Sequence, residues 1–258
     1  MDLELTDRVI VVTGASRGIG FATAEALLKE GARVVLIARD ANQLDIVSKQ
    51  LNTTFATSRF LTISVDCGDE TSLRNASLEI EQEFGQVYGV VANIGDGQSV
   101  KDPIPEMDQW NTSWRTNFET ALVTAMVFAP ILRAQEGSIV FVSSIAGIES
   151  IGAPTDYSTA KAALIAFAKN LSVKLAPNVR VNVVAPGNIL VPGGAWDSRL
   201  QNDPESISNM IRLNVPLNRF GNPHEIADAI MFLSSQRSAF TTGSVFRVDG
   251  GQTVSIQI

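Results

Sequence analysis

Short apolar runs rich in β-branched residues recur along the chain and alternate with helix-like stretches. Apolar runs of this length, bounded by turn residues, are typical of strands that are buried on both faces of a parallel sheet. When such strands alternate with helices, the helices cover both faces of the sheet. Seven candidate strands follow from this pattern, at 8–12, 33–38, 60–65, 87–92, 138–142, 179–184 and 244–248. The pattern therefore predicts an α/β fold with one doubly wound, seven-stranded parallel sheet.

Length and composition fit a single unit of this kind. The chain has 258 residues, and 45% of them are hydrophobic, which suffices for a sizeable core. No low-complexity linker, internal repeat or block of charge interrupts the alternation. We therefore expect one domain over residues 1–258.

A glycine-rich turn follows the first candidate strand. The strand leads directly into the segment Thr13-Gly14-Ala-Ser-Arg-Gly18-Ile-Gly20, a helix-like stretch follows at 21–30, and Gly31 is placed to cap it before the second strand. Glycines allow tight backbone geometry, and the free N–H groups at a helix N-terminus favour an anion. Strand, glycine-rich turn, helix and strand in this order predict a dinucleotide site.

The residues after the second strand indicate which dinucleotide is bound. An acidic side chain at this place usually accepts hydrogen bonds from the ribose of NAD(H), whereas a 2′-phosphate needs a cation. Here the strand ends at Ala38 and Arg39, and Arg17 lies within the glycine-rich turn. The two arginines favour NADP(H), and NAD(H) stays possible. In the alternative interpretation both arginines are surface charges, and Asp40 is the ribose ligand.

Tyr157 and Lys161 form the most informative pair. Residues four apart share one face of a helix, so a lysine at 161 lies beside the phenol of a tyrosine at 157. A nearby cation favours the phenolate, and we therefore expect Lys161 to lower the pKa of Tyr157 toward the range of a general acid. Such pairs also occur by chance on amphipathic helices.

Together these motifs resemble the short-chain dehydrogenases/reductases, and the resemblance covers essentially the whole chain. It rests on Thr-Gly-x-x-x-Gly-x-Gly near the N-terminus, on Ala92-Asn93-Ile94-Gly95, and on Ser144 thirteen residues before Tyr-x-x-x-Lys. Within the family the chain resembles 3-oxoacyl-acyl-carrier-protein reductases and similar ketoreductases, including the closing Val-Asp-Gly-Gly. The resemblance implies a Rossmann fold and an oxidoreductase that acts on CH–OH groups with NAD(P).

The resemblance implies four catalytic residues. Tyr157 would exchange a proton with the substrate oxygen, and Ser144 would hydrogen-bond that oxygen. Lys161 would bind the nicotinamide ribose and hold down the pKa of the phenol, and Asn117 would anchor a water that links Lys161 to solvent. Ser143 is the neighbour to weigh against Ser144, since adjacent side chains on a strand point to opposite sides.

The resemblance also implies a set of cofactor contacts. They are Thr13, Gly14, Ser16, Arg17, Gly18, Ile19, Gly20, Arg39, Asp66, Cys67, Asn93, Gly95, Tyr157, Lys161, Pro186, Gly187 and Ile189. Two positions depart from the family pattern: Ile94 replaces a small residue, and Val191 stands where a threonine is common. We expect the nicotinamide end to be held differently, and a substrate loop over about 189–213.

Charge and rare residues exclude several classes of function. The net charge is −7 and the pI is near 4.8, which argues against nucleic acid and against an anionic membrane surface. With one cysteine, Cys67, and one histidine, we expect no disulfide and no metal site. The acidic N-terminus does not resemble a signal peptide, so a cytoplasmic location is expected.

Three functional hypotheses stay open. The first is an NADPH-dependent reductase of a 3-oxoacyl-like ketone, with a small-molecule carbonyl or alcohol substrate. The second acts on a sugar or polyol derivative, with Trp196 either stacking on the sugar ring or serving as hydrophobic cover. The third is a catalytically idle cofactor-binding protein. Family members commonly assemble as homotetramers, so a homotetramer or a dimer is expected.

Overall fold

The computed structural model describes residues 2–100 and 102–256, and its centre is a parallel sheet. All seven predicted strands are present, with ends that differ from the prediction by at most two residues. They are β1 (Val9–Thr13), β2 (Arg33–Ala38), β3 (Phe60–Ser64), β4 (Val87–Ala92), β5 (Ser138–Val142), β6 (Arg180–Pro186) and β7 (Val245–Val248).

The strand order in the sheet is β3-β2-β1-β4-β5-β6-β7, and every neighbouring pair is parallel. The chain starts at the centre with β1, runs outward to β3, returns to β4 and runs outward again to β7. The order therefore reverses between β1 and β4. In open sheets of this type a crevice forms beyond the carboxyl ends of the strands at this point, and ligands bind there.

Helices connect the strands and cover both faces of the sheet. They are α1 (Gly18–Lys29), α2 (Ala41–Leu51), α3 (Glu70–Phe84), α4 (Met107–Trp114), α5 (Thr120–Leu132), α6 (Thr155–Leu175), α7 (Ala195–Asn202), α8 (Pro204–Asn214) and α9 (Pro223–Ser234). A single π-helical turn, Arg115–Glu119, joins α4 to α5. Helix α1 begins three residues earlier than predicted because the turn continues directly into it.

Two apolar clusters lie on opposite faces of the sheet. Alternate residues of β1 divide between them: Ile10 and Val12 pack with α1 and α9, whereas Val9 and Val11 pack with α3, α5 and α6. Since successive side chains of a strand point to opposite faces, each central strand needs apolar residues at every position. The doubly wound α/β fold is confirmed.

The segment after β6 is more regular than the sequence indicated. The predicted substrate loop at 189–213 contains most of α7 and α8. Asp203 accepts a hydrogen bond from the N–H of Ser206 and Pro204 occupies the first turn, so α8 has a capped start. Only Ile211 of α8 and no residue of α7 is buried, which explains the weak apolar pattern. Within 2–100 and 102–256, no helix is both long and apolar enough to cross a membrane.

Candidate active site

The glycine-rich turn between β1 and α1 forms a cradle that side chains would fill. Gly14 and Gly18 have φ angles of +65° and +58°, in the left-handed region that L side chains rarely adopt. A Cβ at Gly20 would overlap the carbonyl oxygen of Gly14, so only glycine allows this close approach. The cradle opens at the carboxyl end of β1, beside the point where the strand order reverses.

The first turn of α1 faces this cradle. Its N-cap is Arg17, and no side chain accepts a hydrogen bond there, unlike the capped starts of α2, α3 and α9. Ser16 precedes the helix, and Ile19 packs from its first turn against the core. Uncapped amides at a helix start favour an anion, so the turn fits the pyrophosphate of a dinucleotide.

Asn93 holds the cradle against the end of β4. Its Nδ2 donates to the carbonyl oxygens of Thr13 and Gly14, each at 3.2 Å, and its backbone N–H donates to Oγ1 of Thr13 at 3.1 Å. Ile94 packs against the same place, with Cγ1 3.1 Å from a Cβ built on Gly14. Asn93 thus shapes the backbone of the turn, an additional role that sequence reasoning missed.

Two arginines lie near the carboxyl ends of β1 and β2. The side chains of Arg17 and Arg39 are exposed and make no hydrogen bond or ion pair with the part of the chain that the structure describes. Asp40 instead caps α2, since its Oδ1 accepts from the N–H of Gln43 at 3.1 Å. The arrangement leaves both cations free for a phosphate and uses Asp40 within the protein.

Asp66 and Cys67 follow β3 at the same end. Oδ1 of Asp66 accepts from the N–H of Gly68 at 2.9 Å, and Oδ2 lies 3.4 Å from a guanidinium nitrogen of Arg115. Cys67 is fully buried, and burial, together with the charge of Asp66, raises the pKa of its thiol to about 12. A thiol with so high a pKa is not a nucleophile at neutral pH.

Lys161 is buried between β5 and the segment after β4. Its Nζ donates to the carbonyl oxygen of Val142 at 3.2 Å and lies 5.9 Å from the centre of the Tyr157 ring. A Cβ at Gly95 would lie 2.7 Å from Nζ, so glycine makes room for the ammonium. Burial lowers the pKa of Lys161 to about 8.

Ser143 and Ser144 point in different directions at the end of β5. The hydroxyl of Ser143 donates to the carbonyl oxygen of Lys161 at 2.9 Å, inside the protein. The hydroxyl of Ser144 accepts from the N–H of Ala146 at 3.1 Å and lies beside Tyr157, whose phenolate it favours. A Cβ at Gly147 would lie 2.7 Å from the carbonyl carbon of Lys161, so this turn packs directly on α6.

The pKa of Tyr157 is raised, and the expectation that Lys161 lowers it is wrong for this structure. Burial is the main cause, the charge of Asp96 adds to it, and the Ser144 hydroxyl acts in the opposite direction. Lys161 is not among the causes of the shift: its Nζ donates to the carbonyl oxygen of Val142 and lies 5.9 Å from the centre of the Tyr157 ring. The phenol therefore holds its proton at neutral pH.

Asn117 lies in the π-helical turn and clamps the backbone of Asp96. Its Oδ1 accepts from the N–H of Asp96 at 2.9 Å, and its Nδ2 donates to the carbonyl oxygen of Asp96 at 3.0 Å and to that of Ser113 at 3.0 Å. π-helical turns often occur at functional sites because they redirect a side chain. The side chain of Asn117 thus fixes the segment that lies over Tyr157 and Lys161.

Pro186 ends β6, and Gly187 and Ile189 follow it on the far side of the crevice. The N–H of Gly187 donates to the carbonyl oxygen of Val248 at 3.0 Å, and a Cβ there would lie 2.8 Å from Cα of Asp249. Ile189 forms a parallel bridge with Gly221. Val191 contacts the glycine cradle, with Cγ1 3.2 Å from a Cβ built on Gly18, so the segment is tied to the cofactor loop.

Trp196 packs against the side chains of Phe220 and Arg199. Its ring centre lies 5.7 Å from that of Phe220, and the guanidinium of Arg199 lies 5.0 Å from the indole. These contacts favour hydrophobic cover over a sugar-stacking role.

Sequence reasoning missed two polar residues beside the site. Asp156 is buried immediately before Tyr157, and Ser99 donates to its Oδ2 at 2.6 Å. The available signal was an acid in the first turn of a helix that carries a reactive tyrosine. Among residues 2–100 and 102–256, no group of three or more His, Cys, Asp or Glu side chains is arranged to hold a metal ion.

Known proteins are similar to this chain in sequence and in fold. A family model described as Enoyl-(Acyl carrier protein) reductase matches residues 14–253. The chain is 33% identical to 2-(S)-hydroxypropyl-CoM dehydrogenase 3 of Xanthobacter autotrophicus, over 98% of this chain and 99% of the relative. It is 33% identical to the 3-oxoacyl-[acyl-carrier-protein] reductase FabG of Escherichia coli, over 96% and 98% of the two chains. The L-sorbose reductase of Gluconobacter frateurii, solved with NADPH and L-sorbose, superposes with a TM-score of 0.92 at 30% identity, over 99% of this chain and all of that one.

Proposed function

The chain belongs to the short-chain dehydrogenase/reductase family and is an oxidoreductase of CH–OH groups, and from this premise we propose that it reduces a ketone to a secondary alcohol with NADPH. The observation that carries the proposal is the position of the Tyr157 phenol, which is protonated at neutral pH and lies beside Ser144 and Lys161. NADPH supplies the hydride when bound. The chain supplies the proton and the binding site.

Each of the four polar residues has a role in this proposal. Tyr157 gives its proton to the carbonyl oxygen, and the hydroxyl of Ser144 hydrogen-bonds that oxygen as negative charge develops. Lys161 hydrogen-bonds the nicotinamide ribose from its anchored position at the end of β5. Asn117 positions the segment over the site through its bonds to Asp96. In this structure its side chain makes those bonds, and the water that the resemblance implied stays a prediction.

The raised pKa of Tyr157 supports the reductive direction. Reduction needs a phenol that carries its proton, and oxidation of an alcohol needs one that has lost it. Burial and the charge of Asp96 both hold the proton on the phenol. The reverse oxidation is therefore expected to become faster as the pH rises.

The free arginines support NADP(H) as the cofactor. Arg17 and Arg39 approach the adenosine end from the glycine-rich turn and from the end of β2, and guanidinium groups bind phosphate in a bidentate manner. Asp40 is already bonded to the N–H of Gln43, which disfavours it as a ribose ligand. The NADPH-bound sorbose reductase agrees with this preference. NAD(H) stays a second, weaker cofactor.

The substrate is a small-molecule ketone, and two classes are in question. A 3-oxoacyl thioester is the first, since FabG proteins are among the relatives. A sugar or polyol derivative is the second, because the sorbose reductase shares the fold over its whole length. A catalytically idle protein is disfavoured by the intact Asn117, Ser144, Tyr157 and Lys161.

The direct test is steady-state oxidation of NADPH and NADH with 3-oxoacyl thioesters, diketones and oxidised sugars. Wild-type protein should reduce at least one of these ketones with NADPH. Tyr157→Phe should lower kcat by about 10²- to 10⁴-fold while the protein still binds NADPH, which is measured by the quenching or shift of protein fluorescence. A protein that binds NADPH and reduces none of the panel would be a binder or an enzyme for another substrate class.

Quaternary structure and location stay predictions. The homotetramer or dimer agrees with the exposed Ala162 and Ala166, which lie on the side of α6 opposite the buried Leu164 and Ala168. The cytoplasmic location agrees with a single, buried cysteine.

A further inference from the structure

Asp96 lies between two glycines that contact the proposed catalytic side chains. A Cβ on Gly95 would lie 2.7 Å from Nζ of Lys161, and a Cβ on Gly97 would lie 3.7 Å from Cζ of Tyr157, the atom that carries the hydroxyl. The residue between them is therefore held at the mouth of the site. Sequence reasoning assigned no role to Asp96.

Hydrogen bonds fix the backbone of Asp96, and one of its two carboxylate oxygens is hydrogen-bonded. Asn117 bonds both the N–H and the carbonyl oxygen of Asp96, at 2.9 and 3.0 Å. Oδ1 of Asp96 accepts from the N–H of Gln98 at 2.9 Å. Oδ2 has no hydrogen-bond or ion-pair partner among residues 2–100 and 102–256, and the side chain is exposed. Asn117 thus fixes the backbone that carries this acceptor, and the next residue, Gly97, lies against the phenol ring.

The carboxylate of Asp96 forms no ion pair with a residue that the structure describes, and its charge acts on the space beside the phenol. It reaches the phenol, since it contributes to the raised pKa of Tyr157. Lys161 is directed to the carbonyl oxygen of Val142 and not to the carboxylate. The segment 96–106 also carries Asp102 and Glu106 against one lysine. A substrate with its own negative charge next to the ketone would be repelled here, whereas a hydroxyl would find an acceptor.

We propose that Asp96 is a specificity-determining residue, whose free oxygen accepts a hydrogen bond from a hydroxyl on the carbon next to the ketone and whose charge disfavours a carboxylate there. This inference rests on the proposed function and narrows it to α-hydroxyketones, the group that ketoses contain. Sites that hydrogen-bond a substrate hydroxyl discriminate against analogues that lack it when the bound substrate excludes water from the acceptor, which is then left unpaired. Asp96 is exposed in this structure, so the discrimination arises when a bound ketone covers its free oxygen.

Three small ketones of similar size test the proposal. They are hydroxyacetone, 2-butanone, in which a methyl group replaces the hydroxyl, and pyruvate, in which a carboxylate adjoins the ketone. With NADPH, wild-type protein should favour hydroxyacetone over 2-butanone by about tenfold in kcat/KM, and pyruvate should be the poorest substrate. Asp96→Asn should weaken the preference for hydroxyacetone, because a donor replaces the free acceptor, and should raise the relative rate with pyruvate.

Asp96→Asn is a conservative change. The amide oxygen can still accept from Gln98, which leaves an NH₂ donor where the free oxygen was. Asp102→Asn is the matched control, because it removes an equal charge from another exposed residue of the same segment. It should leave the ratios unchanged, and the thermal unfolding of all three proteins should agree.

The outcomes separate the two proposals. If wild-type protein reduces none of the ketones here or in the wider panel, the proposed function fails. If it reduces ketones but shows the same ratios as Asp96→Asn, only the role of Asp96 is overturned. An equal loss of kcat/KM with all three substrates in Asp96→Asn would also overturn it. That pattern would mean that Asp96 maintains the structure of the site and does not select among substrates.

Discussion

The hydroxyl of Ser99 donates a 2.6 Å hydrogen bond to Oδ2 of Asp156, the residue that precedes Tyr157. Oδ1 of the same carboxylate accepts from the N–H of Tyr157 at 2.9 Å, and only 1% of Asp156 is exposed. The pair joins the segment after β4 to the first turn of α6. It thereby links the position of Asp96 and Gly97 to that of the reactive phenol.

We expect Ser99→Ala to destabilise the protein by about 1–3 kcal/mol, because a buried carboxylate loses a hydrogen-bond donor. The same change should lower kcat, since the segment over Tyr157 loses its anchor. Chemical denaturation and steady-state kinetics measure the two effects. Ser99→Thr, which keeps the hydroxyl, should restore both. Ser150→Ala, at an exposed serine, is the control, and a loss of similar size there would contradict the expectation.

Lys161→Met should stabilise the fold while it abolishes activity. Burial lowers the pKa of Lys161 from 10.5 to about 8, so at pH 7 the folded protein holds a buried charge that the unfolded chain exposes to water. Removing that charge contributes about 3 kcal/mol, and losing the bond to Val142 offsets about 1 kcal/mol. We therefore expect a net gain of about 2 kcal/mol in the free energy of unfolding at pH 7.

The stability difference between wild-type protein and Lys161→Met should depend on pH. Between pH 8 and 10.5 the unfolded state binds more protons at this lysine than the folded state, so wild-type stability rises with pH in that window relative to the variant. The difference between the two proteins should shrink as the pH rises from 8 to 10. Lys174→Met, at an exposed position of the same helix, should show no such trend. A constant difference would show that the ammonium is not buried in its charged form.

Arg39→Ala should change cofactor choice and not chemistry. The 2′-phosphate of NADPH would lose charge-assisted hydrogen bonds, so kcat/KM for NADPH should fall by about tenfold or more while the value for NADH stays the same. The ratio of the two values is the measurement. Arg133→Ala removes another exposed arginine, whose side chain makes no hydrogen bond or ion pair with the described residues, and it should leave the ratio unchanged. If Arg39→Ala left it unchanged too, the phosphate would be bound elsewhere.

Gly20→Ala should prevent NADPH binding or folding, because the new Cβ would overlap the carbonyl oxygen of Gly14 in the cradle. Isothermal titration with NADPH and thermal unfolding distinguish these two losses. Gly97→Ala is the steric control, since its nearest neighbour is 3.7 Å away, an ordinary contact distance. It should fold and bind NADPH as wild-type protein does. Normal binding by Gly20→Ala would show that the turn relaxes around the added methyl group.

The fold was predictable because local patterns determine it. Strands buried on both faces leave uninterrupted apolar runs such as Val9 to Val12, and the glycines of the turn mark positions that side chains cannot occupy. Helices α7 and α8 escaped prediction because they bury almost nothing, so their apolar pattern is weak. The cap formed by Asp203 and Pro204 was the one clear signal, and it marks only the start of α8.

The site was predictable in its members but not in its electrostatics. Spacing placed Tyr157 and Lys161 on one helix face, and the structure brings Ser144 to the same place. The direction of the pKa shift depends on how deeply each group is buried and on Asp96, which lies 61 residues away along the chain. A sequence does not show such burial, and it gave no reason to connect Ser99 with Asp156.

The π-helical turn at Arg115–Glu119 affects how homologous sequences should be aligned. A π turn contains one residue more than an α turn, and each residue rotates a helix by about 100°. Loss of a single codon within this turn would leave α5 on its core face and swing Asn117 away from Asp96. Two homologous proteins that share the asparagine but differ by one residue in this turn would therefore direct its side chain differently. An alignment gap at this point then marks a change in the position of the side chain, even where the asparagine itself is identical.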